Sequence, residues 1–310
     1  MKRIGALGVA LLAALTALSA ASGPLSAGTK AKARPPLDYA VGRTVVQYDE
    51  NGQTVTATIF YPAAGRATTL DVEDAPRATK WAPYPLILFS HDLGATPASY
   101  HELIHKWAEE GYVVAVPTYP SPATSSSDAD RQQPIDIGER ATDASFVISR
   151  MLDRVQGGFG QMVDRKRIAA VGHSLGAATT YLLAYGSQGH DERIAAVVTL
   201  GGGLAGDPSL YFGGVNTPLL AIHGDSDAVD PIDNTTEIYK LASPPKYFIT
   251  LIGGSHSAPY EDPTNSALTV VEKTTTDFLQ AYLDHDATAI SRLRADGKVS
   301  GVTTFKGQTG

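Results

Sequence analysis

One serine, three aspartates and one histidine stand where acyl-transfer chemistry can be assembled. Ser174 is the centre of Gly172-His173-Ser174-Leu175-Gly176, preceded by the apolar run Ile168-Ala169-Ala170-Val171 and followed by an Ala/Leu/Tyr-rich segment of helical character. Strand, sharp turn and helix form the order that a nucleophile elbow requires. The glycines leave space, because side chains on either flank of so tight a turn collide with the neighbouring strand or helix. The turn lifts the hydroxyl clear of the sheet and sets it at a helix N-terminus, where unpaired N–H groups and the helix dipole favour negative charge.

A serine hydroxyl becomes a useful nucleophile only beside a base, and the base needs an orienting acid. His256 lies in Gly253-Gly254-Ser255-His256-Ser257, a small-residue turn after the apolar run Tyr247–Ile252. The acid falls in His223-Gly224-Asp225-Ser226-Asp227-Ala228-Val229-Asp230. Asp225, Asp227 and Asp230 all qualify; Asp227 is preferred for its place after the Gly224 turn, and Asp225 ranks second. Serine, acid and histidine then follow the chain order of an α/β-hydrolase. Two amides must meet the oxyanion of the tetrahedral intermediate. Leu175, next to the nucleophile, supplies one, and Leu93, in the turn Ser90-His91-Asp92-Leu93-Gly94, the other. His173 is expected to pack beside the elbow. This chemistry calls for no cofactor and no metal.

Those residues need a scaffold with strand ends on one side. Arg43–Tyr48 and Thr54–Tyr61 are β-branched, alternating runs joined through Asn51-Gly52, a strong hairpin signal. From Pro85 onward, short apolar runs at 86–90, 112–117, 168–171, 194–200, 218–223 and 247–252 alternate with helical segments at 98–110, 135–155, 177–185, 234–242 and 267–283. This predicts an α/β fold of the α/β-hydrolase kind: a mostly parallel central sheet with an antiparallel N-terminal edge and helices on both faces. In such sheets ligands bind at the carboxyl ends of the strands, where all the candidate residues fall. Residues 63–84 read as an irregular surface connection. Ser121–Gln133, rich in Ser, Pro and Asp, reads as a solvated loop or a flap on the site's side.

Lys2 and Arg3, the uncharged run Ile4–Leu18 and the small residues Ser19 to Ser22 form the pattern of a secretory signal. The apolar run is shorter than the roughly 20 residues a spanning helix needs, so no integral span is expected after processing. The expected organisation is a signal over 1–21, a flexible lead-in over 22–37, a catalytic domain over 38–285 and a C-terminal extension over 286–310. The first part of that extension is expected to be helical and its last ten residues loose. The chain has no cysteine, which excludes thiol catalysis, Cys-ligated zinc and lipid attachment to cysteine. The net charge of −7 becomes −9 when Lys2 and Arg3 leave with the signal, and no basic cluster offsets it, so nucleic acid is not expected as a partner.

A competing motif is His101-Glu102-Leu103-Ile104-His105, which matches H-E-x-x-H, the pattern of zinc peptidases. The extended motif's third histidine is missing, leaving Glu109 or Glu110 as the imaginable third ligand. The motif also sits in the helix after the SHDLG turn, between two parallel strands, where a zincin architecture does not belong. A solvated helix face is the expectation.

The runs TIFYP, SHDLG, GHSLGAAT, HGDSD and GGSHSAP, spread over residues 40 to 285, resemble secreted α/β-hydrolases of the platelet-activating-factor acetylhydrolase and chlorophyllase-like type, and bacterial cutinases and polyester hydrolases. The resemblance implies secreted hydrolysis of carboxylic esters, lipid-like or short-chain, through an acyl-enzyme with Ser174, His256 and Asp227 and amide donors at Leu93 and Leu175. The alternatives are a cutinase-like polyester hydrolase, a non-catalytic binding protein on the same fold, and the HELIH metallopeptidase. The chain departs from the family in having Asp92 where Gly is usual, which is expected to disfavour anionic substrates or distort the oxyanion hole. It also lacks the cutinases' C-terminal cysteine pair, and Gly201-Gly202-Gly203 stands in place of an aromatic platform.

Overall fold

The computed structural model describes residues 38–50, 52–119 and 135–310; the expected signal, the lead-in and the Ser121–Gln133 loop lie outside them. The hairpin is present, with β1 (Ala40–Glu50) and β2 (Gln53–Ala63) paired antiparallel so that Glu50 faces Gln53. Then come β3 (Val72–Glu73), β4 (Tyr84–Ser90), α1 (His101–Glu109), β5 (Val113–Pro117), α2 (Ile137–Leu152), β6 (Val163–His173) and α3 (Leu175–Tyr185). β7 (Ile194–Leu200), β8 (Leu219–Gly224), α4 (Ile232–Leu241), β9 (Lys246–Leu251), α5 (Ala258–Glu261), α6 (Ser266–Tyr282), α7 (Ala289–Asp296) and β10 (Thr303–Gln308) complete the order. The connection over 63–84 is not wholly irregular: β3 pairs parallel with β1 within it.

The described strands form one ten-stranded sheet in the order β10-β9-β8-β7-β6-β4-β5-β2-β1-β3. From β9 to β5 every pairing is parallel, and β2 joins β5 antiparallel. Successive residues of the buried strands go to opposite faces, so each strand serves two cores. Leu86 and Leu88 of β4 join the core beneath α2 and α3, with Val147, Ile148, Met151 and Tyr181. Ile87 and Phe89 join the core beneath α1, α6 and α7, with Leu103, Ile104, Trp107, Phe278 and Leu293. Burial on both faces explains why these strands read as continuous apolar runs.

The crossovers fix the site. After β4 the chain moves outward to β5, then returns past β4 to β6 and continues the other way through β7, β8 and β9. The connections leaving β4 and β6 therefore diverge, which opens a crevice at their carboxyl ends. Ser90 ends β4 and His173 ends β6, so the SHDLG turn and the Ser174 elbow are neighbours across the switch point.

The C-terminal residues differ from expectation. The helical part is present as α7, but the stretch expected to be loose is β10, antiparallel to β9 with Thr303 opposite Leu251 and Gln308 opposite Lys246. Its polar composition hid it. β10 borrows its apolar contacts from Phe305, packed on the core, and needs no second buried face because it closes the sheet edge. Leu293 of α7 is fully buried in the same core as α1 and α6. Leu293→Ala is therefore expected to lower the free energy of global unfolding by about 2 to 3 kcal/mol in urea titrations. An unchanged midpoint would mean that the C-terminal residues fold independently of that core.

Candidate active site

The elbow is built as its sequence requires. Ser174 has φ 54° and ψ −119°, a strained conformation for a residue with a side chain. Both flanking glycines are obligatory here: a Cβ on Gly172 would strike the Gly176 carbonyl, and one on Gly176 the Ser90 carbonyl of β4. The backbone N–H of Ser174 donates to the carbonyls of Leu200 (3.0 Å) and Gly201 (2.9 Å), which pins the apex to the end of β7.

The structure brings Ser174, His256 and Asp227 together. Ser174 Oγ lies 2.8 Å from His256 Nε2, and His256 Nδ1 lies 2.7 Å from Asp227 Oδ2. The other Asp227 oxygen accepts N–H donors from Val229 (2.8 Å) and Asp230 (2.9 Å), which fixes the carboxylate from behind. Burial opposes ionisation of Asp227, but the Asp230 amide, the His256 ring and the Val229 amide outweigh it and hold the carboxyl below its usual range. The alternative acids are engaged elsewhere. Asp225 accepts from the N–H of Gly253 at 2.7 Å, tying the end of β8 to the turn after β9, and Asp230 accepts from the Asn234 side-chain amide.

The two candidate oxyanion donors also converge, on an oxygen that belongs to the protein. Asp92 Oδ1 accepts from the N–H of Leu93 at 2.6 Å and of Leu175 at 3.4 Å. Asp92 Oδ2 is 3.6 Å from His256 Nε2. The carboxylate thus occupies the position between the two candidate donors where a negatively charged oxygen would be received. Burial again opposes its ionisation, but the neighbouring His256 ring, the Ser174 hydroxyl and the Leu93 amide hold Asp92 far below the usual carboxylate range. The effect on His256 is reciprocal. The neighbouring Asp92 carboxylate, against burial and with help from Asp227, raises the imidazole to about 9. The expectation that Asp92 disturbs the hole thus acquires a geometry.

His173, which packs beside the elbow as expected, supports the site together with Tyr100 and Arg140, which carry no signal in the sequence. His173 is fully buried, and burial lowers its pKa to about 4, so it is neutral. Its Nε2 lies 2.9 Å from the carbonyl of His256, which can only accept, so Nε2 carries the proton and donates. Nδ1 then accepts from the hydroxyl of Tyr100 at 2.8 Å. The elbow histidine thereby holds the backbone of the histidine loop, a role its sequence position did not reveal. On the other side of the turn, buried Arg140 of α2 donates to the carbonyl of His91 at 2.6 Å and to Thr179 Oγ1 at 3.1 Å. It braces the SHDLG turn against α3.

The HELIH motif is on α1 as read, but not as a solvated face. His105 is buried and its Nδ1 lies 2.6 Å from Asp71 Oδ1, while His101 Nε2 lies 3.1 Å from Asp71 Oδ2. Glu109 and Glu110 are both ion-paired with Lys106, so the acid beside the two histidines is Asp71. No local signal marks Asp71, which sits thirty residues upstream in a polar connection.

Comparison with known proteins gives the family. The family model described as PET hydrolase-like matches residues 95–300, more than half of the chain. The chain belongs to the PET hydrolase-like family. A second model, platelet-activating factor acetylhydrolase isoform II, matches residues 35–134. Membership in the PET hydrolase-like family, within the wider acetylhydrolase and cutinase group, makes the chain a carboxylic-ester hydrolase. It is similar to Cutinase 1 of Thermobifida cellulosilytica, 25% identical over 206 residues that cover 66% of this chain and 70% of that protein. It is similar to the same degree to the cutinase of Thermobifida fusca, of which the matched span covers 61%. Among solved structures, a ferulic acid esterase from Streptomyces cinnamoneus shares the fold, with a TM-score of 0.67, 18% identity and coverage of 88% of this chain and 98% of that one. Among the described residues, no helix is long and apolar enough to cross a membrane.

Proposed function

We propose that this family member is an exported serine ester hydrolase that works through an acyl-enzyme, with Ser174 as nucleophile, His256 as base and Asp227 as orienting acid. The observation that carries the reading is the continuous chain from Ser174 Oγ to His256 Nε2 at 2.8 Å and from His256 Nδ1 to Asp227 at 2.7 Å. Asp92 first turns out of the oxyanion position, freeing the N–H groups of Leu93 and Leu175. Ser174 Oγ then attacks the ester carbonyl while His256 Nε2 takes its proton, and the carbonyl oxygen, now negative, accepts from the two amides. Collapse expels the alcohol, which leaves with the proton from His256. Water, deprotonated in turn by His256, attacks the acyl-serine; the acid departs and Ser174 regains its proton. Export is supported by the signal pattern of residues 1–21.

The preferred substrates are lipid-like or short-chain esters. Two residues of the site's own loops leave apolar side chains in solvent: Leu93, beside the oxyanion position, is 45% exposed, and Val229, two residues past the triad acid, is 72% exposed. Such a rim suits an uncharged, apolar acyl or alcohol group, and the Asp92 carboxylate repels an anionic one. The same two side chains, together with the family model and the cutinase relatives, favour a second reading in which the ester belongs to a polyester surface. Hydrolysis of p-nitrophenyl butyrate and of an amorphous polyester film by the same preparation separates the two. Turnover of the soluble ester with no product release from the film supports the first reading, and comparable action on both supports the second. Folded protein without turnover of either would instead favour the binding-protein alternative.

A further inference from the structure

The HELIH motif is left unused by ester hydrolysis, yet the fold builds around it. Its two histidines stand at i and i+4 on α1, so their rings share a face, with centroids 5.3 Å apart. Asp71, from the connection between β2 and β3, places one carboxylate oxygen on each ring, and one ligand atom from each of the three residues can be chosen so that all lie within 4.8 Å of one another. Tetrahedral zinc, with bonds of about 2.0 Å, holds its ligand atoms about 3.3 Å apart. A side-chain adjustment is enough to close the difference. The outer partners are in place as well. His101 Nδ1 lies 3.3 Å from Glu102 Oε1, and the backbone of Thr68 lies beside the His105 ring. Metal-ligating histidines characteristically use their second nitrogen in this way, bonded to a carboxylate or a backbone carbonyl that fixes the ring.

We propose that Asp71, His101 and His105 form a binding site for a divalent first-row transition metal, with zinc as its probe, that clasps the connection between β2 and β3 to α1. Two imidazoles and one carboxylate suit zinc and its borderline neighbours, and a hard cation that wants six or more oxygens does not fit. The fourth position faces solvent, since His101 is the most exposed of the three side chains, and water fills it. The role is structural. Glu102, the residue that would be the base in a zinc peptidase, is spent on orienting His101. The site is independent of Ser174, so it stands or falls apart from the hydrolase reading.

The test is calorimetric titration of the purified, chelator-stripped chain with Zn2+ and, in parallel, Ca2+, repeated on His101→Ala and Asp71→Asn. Thermal unfolding is recorded at each end point. The wild type is expected to bind one zinc, with a rise in Tm of about 5 °C at a hundredfold excess over Kd, and to ignore calcium. Each variant is expected to bind zinc at least tenfold more weakly while its metal-free Tm stays near the wild-type value. X-ray absorption on the zinc-loaded wild type, which needs no variant, should show two imidazoles on the metal. Absence of stoichiometric zinc binding, wild-type affinity in both variants, or fewer than two imidazoles would overturn the proposal.

Discussion

Ser174→Ala is expected to lower kcat/KM for p-nitrophenyl butyrate by on the order of 10^4- to 10^6-fold, with the fold intact. No other hydroxyl occupies the place 2.8 Å from His256 Nε2, and the alanine has nothing to attack with. Asp227→Asn is expected to cost about 10^4-fold in kcat, because the amide no longer holds the imidazole in the tautomer that leaves Nε2 free to accept a proton. Asp225→Asn provides the contrast. Its carboxylate accepts from Gly253 and does not reach the imidazole, so activity should stay within roughly threefold of wild type, a loss of order 1 kcal/mol at most from one hydrogen bond in a turn. Equal losses in the two aspartate variants would show that the assignment of the acid is wrong.

Removal of the Asp92 carboxylate should shift the pH dependence. A general base acts in its unprotonated form, and with Asp92 against it His256 is raised to about 9, so only about 1% of it is neutral at pH 7. The Asp92 carboxylate makes the largest contribution to that rise; Asp92→Asn removes its charge and Asp92→Gly removes the group. In both variants the acid limb of kcat/KM is expected to move down by about two pH units, toward the ordinary imidazole range, with a gain on the order of 30- to 100-fold at pH 7. At pH 10 the Asn variant and wild type should converge, since the imidazole is neutral in both. The Gly variant should stay ahead, because its Leu93 and Leu175 amides are no longer occupied by a side chain. Profiles that superimpose at every pH would mean that Asp92 does not lie against His256 in the free enzyme.

How much of this was legible in the sequence depends on the range of the forces involved. The elbow was legible because its requirements are local: two glycines with no room for a Cβ, a strand before and a helix after. The sheet was legible because strands buried on both faces must be apolar along their whole length, and the hairpin because Asn51-Gly52 marks its turn. β6 nevertheless begins at Val163, well before the apolar run, since Asp164 to Arg167 are polar and partly exposed. β10 escaped notice for the same reason, its strand character coming from pairing with β9 and not from its own composition. Side-chain direction was the least legible property. Nothing in SHDLG says that the aspartate turns inward onto the amides of Leu93 and Leu175. Nor does the composition of residues 63–84 say that Asp71 meets α1, since both facts arise from elements distant in sequence. The His173 brace is similar: its two partners, Tyr100 and the His256 carbonyl, lie 73 and 83 residues away.

An activated serine at position 174 is the central claim, and the intact mass of the purified chain after exposure to a fluorophosphonate tests it most directly. One adduct is expected on the wild type, unaffected by EDTA, lost in Ser174→Ala and formed more slowly at pH 7 than at pH 9 because His256 must first lose its proton. Folded wild-type protein that gains no mass, or a Ser174→Ala chain that gains as much, would contradict the account.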